Sequence, residues 1–419
     1  MDGTEKRIGH GAHSLKEDST EVAHRGGQRD MPTLAAGCPA CEGRNTREFL
    51  LVRDMPIFCN VLWPTHAAAI EAGSGDIRLV SCEDCGHVFN SAFDVTKTVY
   101  SAAYENSLHF SQHFNKYAQE LAARLIETYA ILGKDIIEVG CGSGEFLALI
   151  CEMGGNRGVG FDKSFPGRSV DSGKLTFIRD FYDDRYSHYP CDLLCCRHVL
   201  EHIAEPYEFL LSIRKSLRAS KKAIAYFEVP NAAFTLDRLG IWDVIYEHCG
   251  YFSASSLACL FRRAGFAVNR LSESYGGQFL GIECTLSEDE ASSGVQTCEA
   301  SEVRASVKSF PDRYRQKTAH WQDVCRELEH RGKRALVWGG GSKGVTFLNL
   351  LKPACVLGVI DLNPRKHGHY VPVTGHEVLS PSRVADLNPD VVLVMNGVYQ
   401  DEIRAFLDGE RLSPELLIV

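Results

Sequence analysis

The chain has 419 residues, 44% of them hydrophobic and 24% charged, a balance that suits two or three globular domains and excludes a wholly disordered polymer. Its 45 lysines and arginines stand against 54 aspartates and glutamates, a net charge of −9, which argues against binding nucleic acid through excess positive charge. No apolar run approaches the roughly 20 residues of a membrane span, and the polar start Met1-Asp2-Gly3-Thr4 leads into no secretory signal. A cytoplasmic monomer or homodimer with a small-molecule substrate is expected, with neither nucleic acid nor membrane as partner.

Residues 1–36 are polar, rich in glycine, histidine and charge, and lack periodicity, so a disordered tail is expected there. Residues 37–95 read as a small module with two C-x-x-C pairs, Cys38-Pro39-Ala40-Cys41 and Cys82-Glu83-Asp84-Cys85. Each pair makes a tight knuckle, and four thiolates can surround one zinc ion tetrahedrally. A redox dithiol would instead open a helix in a thioredoxin-like unit, which this stretch does not resemble. Structural Zn2+ on Cys38, Cys41, Cys82 and Cys85 is therefore expected, folding a module too small to hold itself together. Other cysteines, Cys151, Cys195 and Cys196 among them, sit in apolar runs and are expected in the core.

Residues 96–286 open with helical spacing from Phe114 to Leu132 and then alternate. Apolar runs at Ile136–Val139, Gly158–Phe161, Leu175–Ile178, Asp192–Cys195 and Ala223–Val229 are separated by helical stretches, which predicts βαβ units and a parallel sheet. Phe266–Leu271 and Gln278–Leu286 read as an antiparallel pair closing it. The first strand ends in Glu138, followed by Gly140, Gly142 and Gly144 before a helix, glycines that let the backbone approach a ligand. Asp162 ends the next strand, where a carboxylate accepts ribose hydroxyls. Asp180 and Phe181 follow the third, placed for an adenine amine and ring. The fourth leads into Arg197-His198-Val199-Leu200-Glu201-His202. This series is similar to class I S-adenosylmethionine-dependent methyltransferases. Glu138, Gly140, Gly142, Gly144, Asp162, Asp180, Phe181 and His198 are the expected cofactor residues. After the fifth strand, Tyr246-Glu247-His248 offers a base, an acid to orient it and a phenol.

Residues 287–301 are rich in serine and glutamate and read as a linker. In residues 302–419 a helix is expected from Glu302 to His330, bent or restarted at Pro311. Strands follow at Ala335–Trp338, Cys355–Ile360 and Val391–Met395. Gly339, Gly341 and Gly344 satisfy G-x-G-x-x-G, with Asp361 about 20 residues on, so spacing alone also admits an NAD-dependent oxidoreductase.

Taken in order, these motifs resemble the sugar C-methyltransferases of antibiotic and deoxysugar biosynthesis. Glu247-His248 with Tyr251-Phe252, Tyr275-Gly276-Gly277, Gly341-Ser342-Lys343-Gly344 and Asp361 to Gly368 carry the likeness. It implies an α/β fold: a class I methyltransferase Rossmann-like sheet, preceded by a zinc-binding module and followed by a second Rossmann-like domain that encloses substrate without a redox cofactor. It also implies proton removal beside a ketone, with the enolate attacking the methyl group. His248 is then the base beside Glu247, while His202 and Tyr246 stabilise the enolate oxygen. Where the family usually reads Tyr-His-Glu-His, this chain has Ile245-Tyr246-Glu247-His248. Tyr104, Lys343, Asn363, Arg365 and Lys366 are the expected substrate contacts. The substrate implied is a nucleotide-linked deoxysugar, whose diphosphate would call for local positive charge at Lys343, Arg365 and Lys366. O- or N-methylation of a secondary metabolite is the alternative.

Overall fold

The computed structural model describes residues 37–101, 103–167, 170–171, 173–287 and 301–419. The expected N-terminal tail and most of the expected linker lie outside them. Three sheets organise the chain. The first is antiparallel, in the order β1-β2-β3-β10, from β1 (Thr46–Pro56), β2 (Ser74–Cys82), β3 (Val88–Asn90) and β10 (Gly250–Tyr251). Its last strand comes from beyond the fifth strand of the second sheet, with Gly250 opposite Phe89. The cysteine module is therefore built together with the Glu247-His248 stretch that immediately precedes β10.

The second sheet has the order β11-β12-β9-β8-β4-β5-β7-β6. Its strands are β4 (Asp135–Val139), β5 (Arg157–Phe161), β6 (Val170–Asp171), β7 (Leu175–Ile178), β8 (Leu193–Arg197), β9 (Ile224–Pro230), β11 (Phe266–Ser274) and β12 (Phe279–Leu286). The five central strands are parallel. They are largely apolar, and β8 buries Leu193, Leu194, Cys195 and Cys196 in one run. β12 pairs antiparallel with β9, and β11 with β12, so the expected closing pair is present. The helix Gln112–Tyr129 starts where Ser111 Oγ accepts from the Phe114 amide and ends at Ala130 in a left-handed conformation. It buries Ala118, Leu121, Ala122 and Leu125.

The third sheet is parallel, in the order β15-β14-β13-β16-β17, from β13 (Ala335–Trp338), β14 (Val356–Ile360), β15 (Val378–Leu379), β16 (Val391–Val394) and β17 (Glu415–Ile418). The helix before it, Ser301–His330, contains Pro311 and does not restart there. Proline removes one intrahelical bond, and buried Phe310 and Tyr314 on either side hold the helix against the core. That same core takes in Leu50 and Val52 of β1, Trp242 and Tyr246, and Val337 of β13. Among the described residues no helix is long and apolar enough to cross a membrane.

Candidate active site

A cavity of about 960 Å³ lies where the second and third sheets turn their C-terminal strand ends toward one another. In open α/β sheets that end collects ligands, because loops replace strands there and backbone amides come free. His198, Glu201 and His202 follow β8, Pro230 ends β9, Gly339 follows β13, Asp361 follows β14 and Asn396 follows β16, and all line the cavity. Glu247 and His248 complete one wall, and Tyr104, Leu108 and Phe110 another.

Glu247 is 0% exposed. Its Oε1 accepts from the Cys59 amide and its Oε2 from the Tyr104 hydroxyl, each at 3.3 Å. Burial pushes its carboxyl up to about 8, against the Cys59 and Tyr104 bonds and the charge of Lys366. His202 Nδ1 lies 3.0 Å from the Glu247 carbonyl oxygen and 3.0 Å from the Tyr100 hydroxyl. The carbonyl only accepts, so the hydrogen sits on Nδ1 and Nε2 keeps its lone pair. The His202 and His248 rings stand 5.0 Å apart, edge to face. Burial, then the neighbouring His202, His198 and Lys343, hold the His248 imidazole well below the usual value and neutral.

Tyr246 does not join this group. Its ring packs among Trp242, Val244 and Phe93 in the core, and its hydroxyl accepts from the Asp94 amide at 2.9 Å. Tyr246 and Glu247 share a turn, and Tyr246 packs into the core while Glu247 lines the cavity. An enolate-stabilising role for Tyr246 is thereby corrected. Tyr104 and Tyr100 are the phenols that the structure brings to Glu247 and His202.

The glycine loop lies outside the cavity wall. Gly140, Gly142 and Gly144 all adopt positive φ, and Gly144 caps the helix Glu145–Gly154. A Cβ on Gly140 would stand 2.1 Å from Val199 Cγ2, whereas one on Gly142 would meet nothing within 4 Å. The Gly142 edge is thus open to a ligand. Asp162 accepts from the Gly142 amide at 2.8 Å and from Ser164, so it also holds the loop. Glu138 is buried, which raises its carboxyl to about 8, and its Oε2 has no hydrogen-bond partner. Asp180 accepts from the Phe181 amide and the Tyr186 hydroxyl, and Phe181 is 64% exposed with Lys163 over its ring. An open glycine edge, an orphaned carboxyl oxygen and an exposed aromatic ring fit an adenosyl cofactor. His198 joins loop and cavity. It adopts positive φ, pairs with Glu228 at 3.1 Å, and packs on Phe279. Burial opposes its charge, but Glu201 and Glu228 outweigh it and lift the ring to about 9.

Of the expected substrate contacts, Tyr104, Lys343, Asn363 and Lys366 line the cavity and Arg365 does not. Arg365 Nη1 instead donates to Glu105 Oε2 at 3.0 Å and to Ser143 Oγ of the glycine loop at 3.2 Å. Arg365 therefore lies against the glycine loop rather than among the cavity-lining residues. Asn363 donates to Glu105 at 2.9 Å, Lys343 pairs with Asp243, and Lys366 donates to the Gly340 carbonyl at 3.2 Å and lies 3.7 Å from Asp361. Asp361 accepts from the Gly340 amide at 2.8 Å, so the second glycine turn is held as the first is.

Cys38 and Cys85 sulfurs are 3.7 Å apart, Cys41 and Cys82 3.5 Å, and all four lie within 4.8 Å. Sulfurs around a tetrahedral zinc are separated by about 3.8 Å, so the donor set fits that ion. Tyr100, Glu105, Glu201 and Asp243 escape a sequence reading as site residues. The Tyr100/Tyr104 pair and the acid within Val199-Leu200-Glu201-His202 are the available signals.

Residues 111–271 match the model of a methyltransferase domain and residues 274–411 that of a C-methyltransferase C-terminal domain. No curated protein matches the chain in sequence. Solved structures similar to part of it include Burkholderia thailandensis 1,6-didemethyltoxoflavin-N1-methyltransferase, at 15% identity over 42% of this chain and 82% of that one, TM-score 0.32. Another is magnesium protoporphyrin IX methyltransferase from Synechocystis PCC 6803, at 17% identity over 42% of this chain and 84% of that one, TM-score 0.31. The chain thus joins a methyltransferase domain to a C-methyltransferase C-terminal domain.

Proposed function

We propose that the protein methylates carbon beside the carbonyl of a small ketone, of the nucleotide-activated deoxysugar class. The observation that carries the reading is Glu247: a fully buried carboxylate on the cavity wall whose contacts are one amide and one phenol. A carboxylate without a cation in contact keeps its basicity, and Glu247 removes the proton α to the ketone. This moves the base role from His248 to its neighbour. S-adenosylmethionine supplies the electrophilic methyl group. Ser143 and the Gly142 edge would hold it, and the cavity wall at Glu247 would hold the ketone. The enolate carbon forms the new C–C bond as the C–S bond breaks, and the Glu247 proton leaves to solvent.

A nucleotide sugar suits the volume of the cavity. The helix Ser342–Leu351 opens on it with no side-chain cap at its start and Lys343 in its first turn, a setting that favours a diphosphate. The four cysteines hold a structural zinc ion, and a reducing cytosol keeps them as thiolates.

The test is incubation in D2O with nucleoside-diphosphate keto-deoxysugars and no methyl donor. Deuterium entering the carbon α to the ketone, and lost in Glu247→Gln, is expected. Adding labelled S-adenosylmethionine then gives a product 14 mass units heavier with the methyl on carbon. No exchange, or a methyl found on oxygen or nitrogen, overturns the reading.

A further inference from the structure

We propose that Glu201, His202 and His248 bind a divalent transition-metal cation whose open coordination positions face the cavity. The three side chains each present one ligand atom, and these atoms lie within 4.8 Å of one another. They come from two elements, the turn after β8 and the loop before β10, that the first two sheets fix in place.

Two observations independent of proximity point to a ligand. Glu201 is 1% exposed and its Oε2 has no hydrogen-bond partner, an orphaned buried carboxylate oxygen. Such an oxygen is costly unless something occupies it. Its other oxygen lies 4.0 Å from His202 Nε2 and 3.7 Å from the charged His198 Nδ1, an ion pair that leaves Oε2 without a partner. His202 is also oriented as a metal ligand is. Its Nδ1 is held by the Glu247 carbonyl, leaving Nε2 for an ion. Metal-bound histidines anchor their second nitrogen in this way.

Two imidazoles and one carboxylate suit Zn2+, Mn2+, Fe2+ or Co2+ at about 2.0–2.2 Å, and three protein ligands leave room for a substrate oxygen. The Cys38–Cys85 group differs, because four thiolates close around their ion. Resting on the carbon-methylation reading, the new site supplies what that reading lacks once Tyr246 faces the core. A cation there takes the ketone oxygen as a Lewis acid and stabilises the charge that develops when Glu247 removes the α proton. No covalent bond to the protein forms.

The probe is Mn2+ alone, added to the zinc-loaded full chain and followed by electron paramagnetic resonance and water proton relaxation. One bound Mn2+ per chain is expected, because closed thiolate sites do not accept it. Glu201→Gln and His202→Gln each weaken binding at least about tenfold, with zinc content at the cysteines unchanged. Wild-type protein that binds no Mn2+, or variants that bind it as well as wild type, overturn the site. Because the wild-type measurement needs no variant to fold, and solvent exchange is read separately, this site and the carbon-methylation reading can fail independently.

Discussion

The Tyr104 hydroxyl donates to Glu247 Oε2 at 3.3 Å although 143 positions separate the two residues. Tyr100, one helical turn's spacing earlier, lies with its hydroxyl oxygen 3.0 Å from the protonated His202 Nδ1 and accepts from it. The stretch between the cysteine module and the methyltransferase domain thus supplies the phenols of the site. Tyr104→Phe removes one hydrogen bond, worth about 1 kcal/mol, so proton removal should slow about fivefold while the fold is kept. Solvent exchange measured against thermal unfolding separates these. A Tyr104→Phe protein that exchanges at the wild-type rate would sink the assignment.

Tyr246 gives the opposite expectation. Its hydroxyl holds the Asp94 amide and its ring fills core space beside Gly75, where a Cβ would stand 2.5 Å from the ring. Tyr246→Phe should cost about 1 kcal/mol of stability and leave exchange within about twofold of wild type. Urea unfolding and the same exchange assay test both halves. A large loss of exchange at unchanged stability would restore Tyr246 to the chemistry.

The parallel strands are readable in the amino-acid sequence because each is buried on both faces. Leu193 to Cys196 and Ala335 to Trp338 are apolar without interruption, and Ile136 to Val139 is broken only by the buried Glu138. The glycine turns are readable for a related reason, since only glycine tolerates their backbone at Gly140 and Gly144. The partners of Glu105, Asp243 and Tyr100 are not readable. Arg365, Lys343 and His202 each lie at least 100 positions away in the chain, and nothing local marks such residues apart from solvated ones. The direction of Tyr246 is hidden for another reason. It depends on the two-residue strand Gly250–Tyr251, too short for any periodicity, which draws the preceding loop onto β3.

Arg365 connects the C-terminal domain to the glycine loop, through Glu105 on one side and Ser143 on the other, with its guanidinium over the Phe110 ring. Arg365→Ala should therefore weaken S-adenosylhomocysteine binding by about fivefold, the value of one lost hydrogen bond, although Arg365 lies outside the methyltransferase domain. Ser143→Ala should weaken it similarly, and the double variant should lose less than the product of the two, because the residues share one bond. Isothermal titration with S-adenosylhomocysteine decides this. Fully multiplicative losses would show that the two residues act separately.

Glu138 sets a pH dependence whose sign follows from its environment. Burial raises its carboxyl from the ordinary 4.5 to about 8, against the pull of Arg197, so the folded protein holds this proton where the unfolded chain has released it. Its contribution to stability is complete below pH 4.5 and is lost as pH rises through 8. The slope approaches about 1.4 kcal/mol per pH unit between those limits. Glu138→Gln keeps the shape and removes the proton, so its unfolding free energy should lack this component. The difference between wild type and variant, measured by urea unfolding at pH 5, 6, 7 and 8, should shift steadily against the wild type. A difference that stays constant across that range would mean that Glu138 is ionised in the folded protein, and that an unrecognised partner satisfies its Oε2.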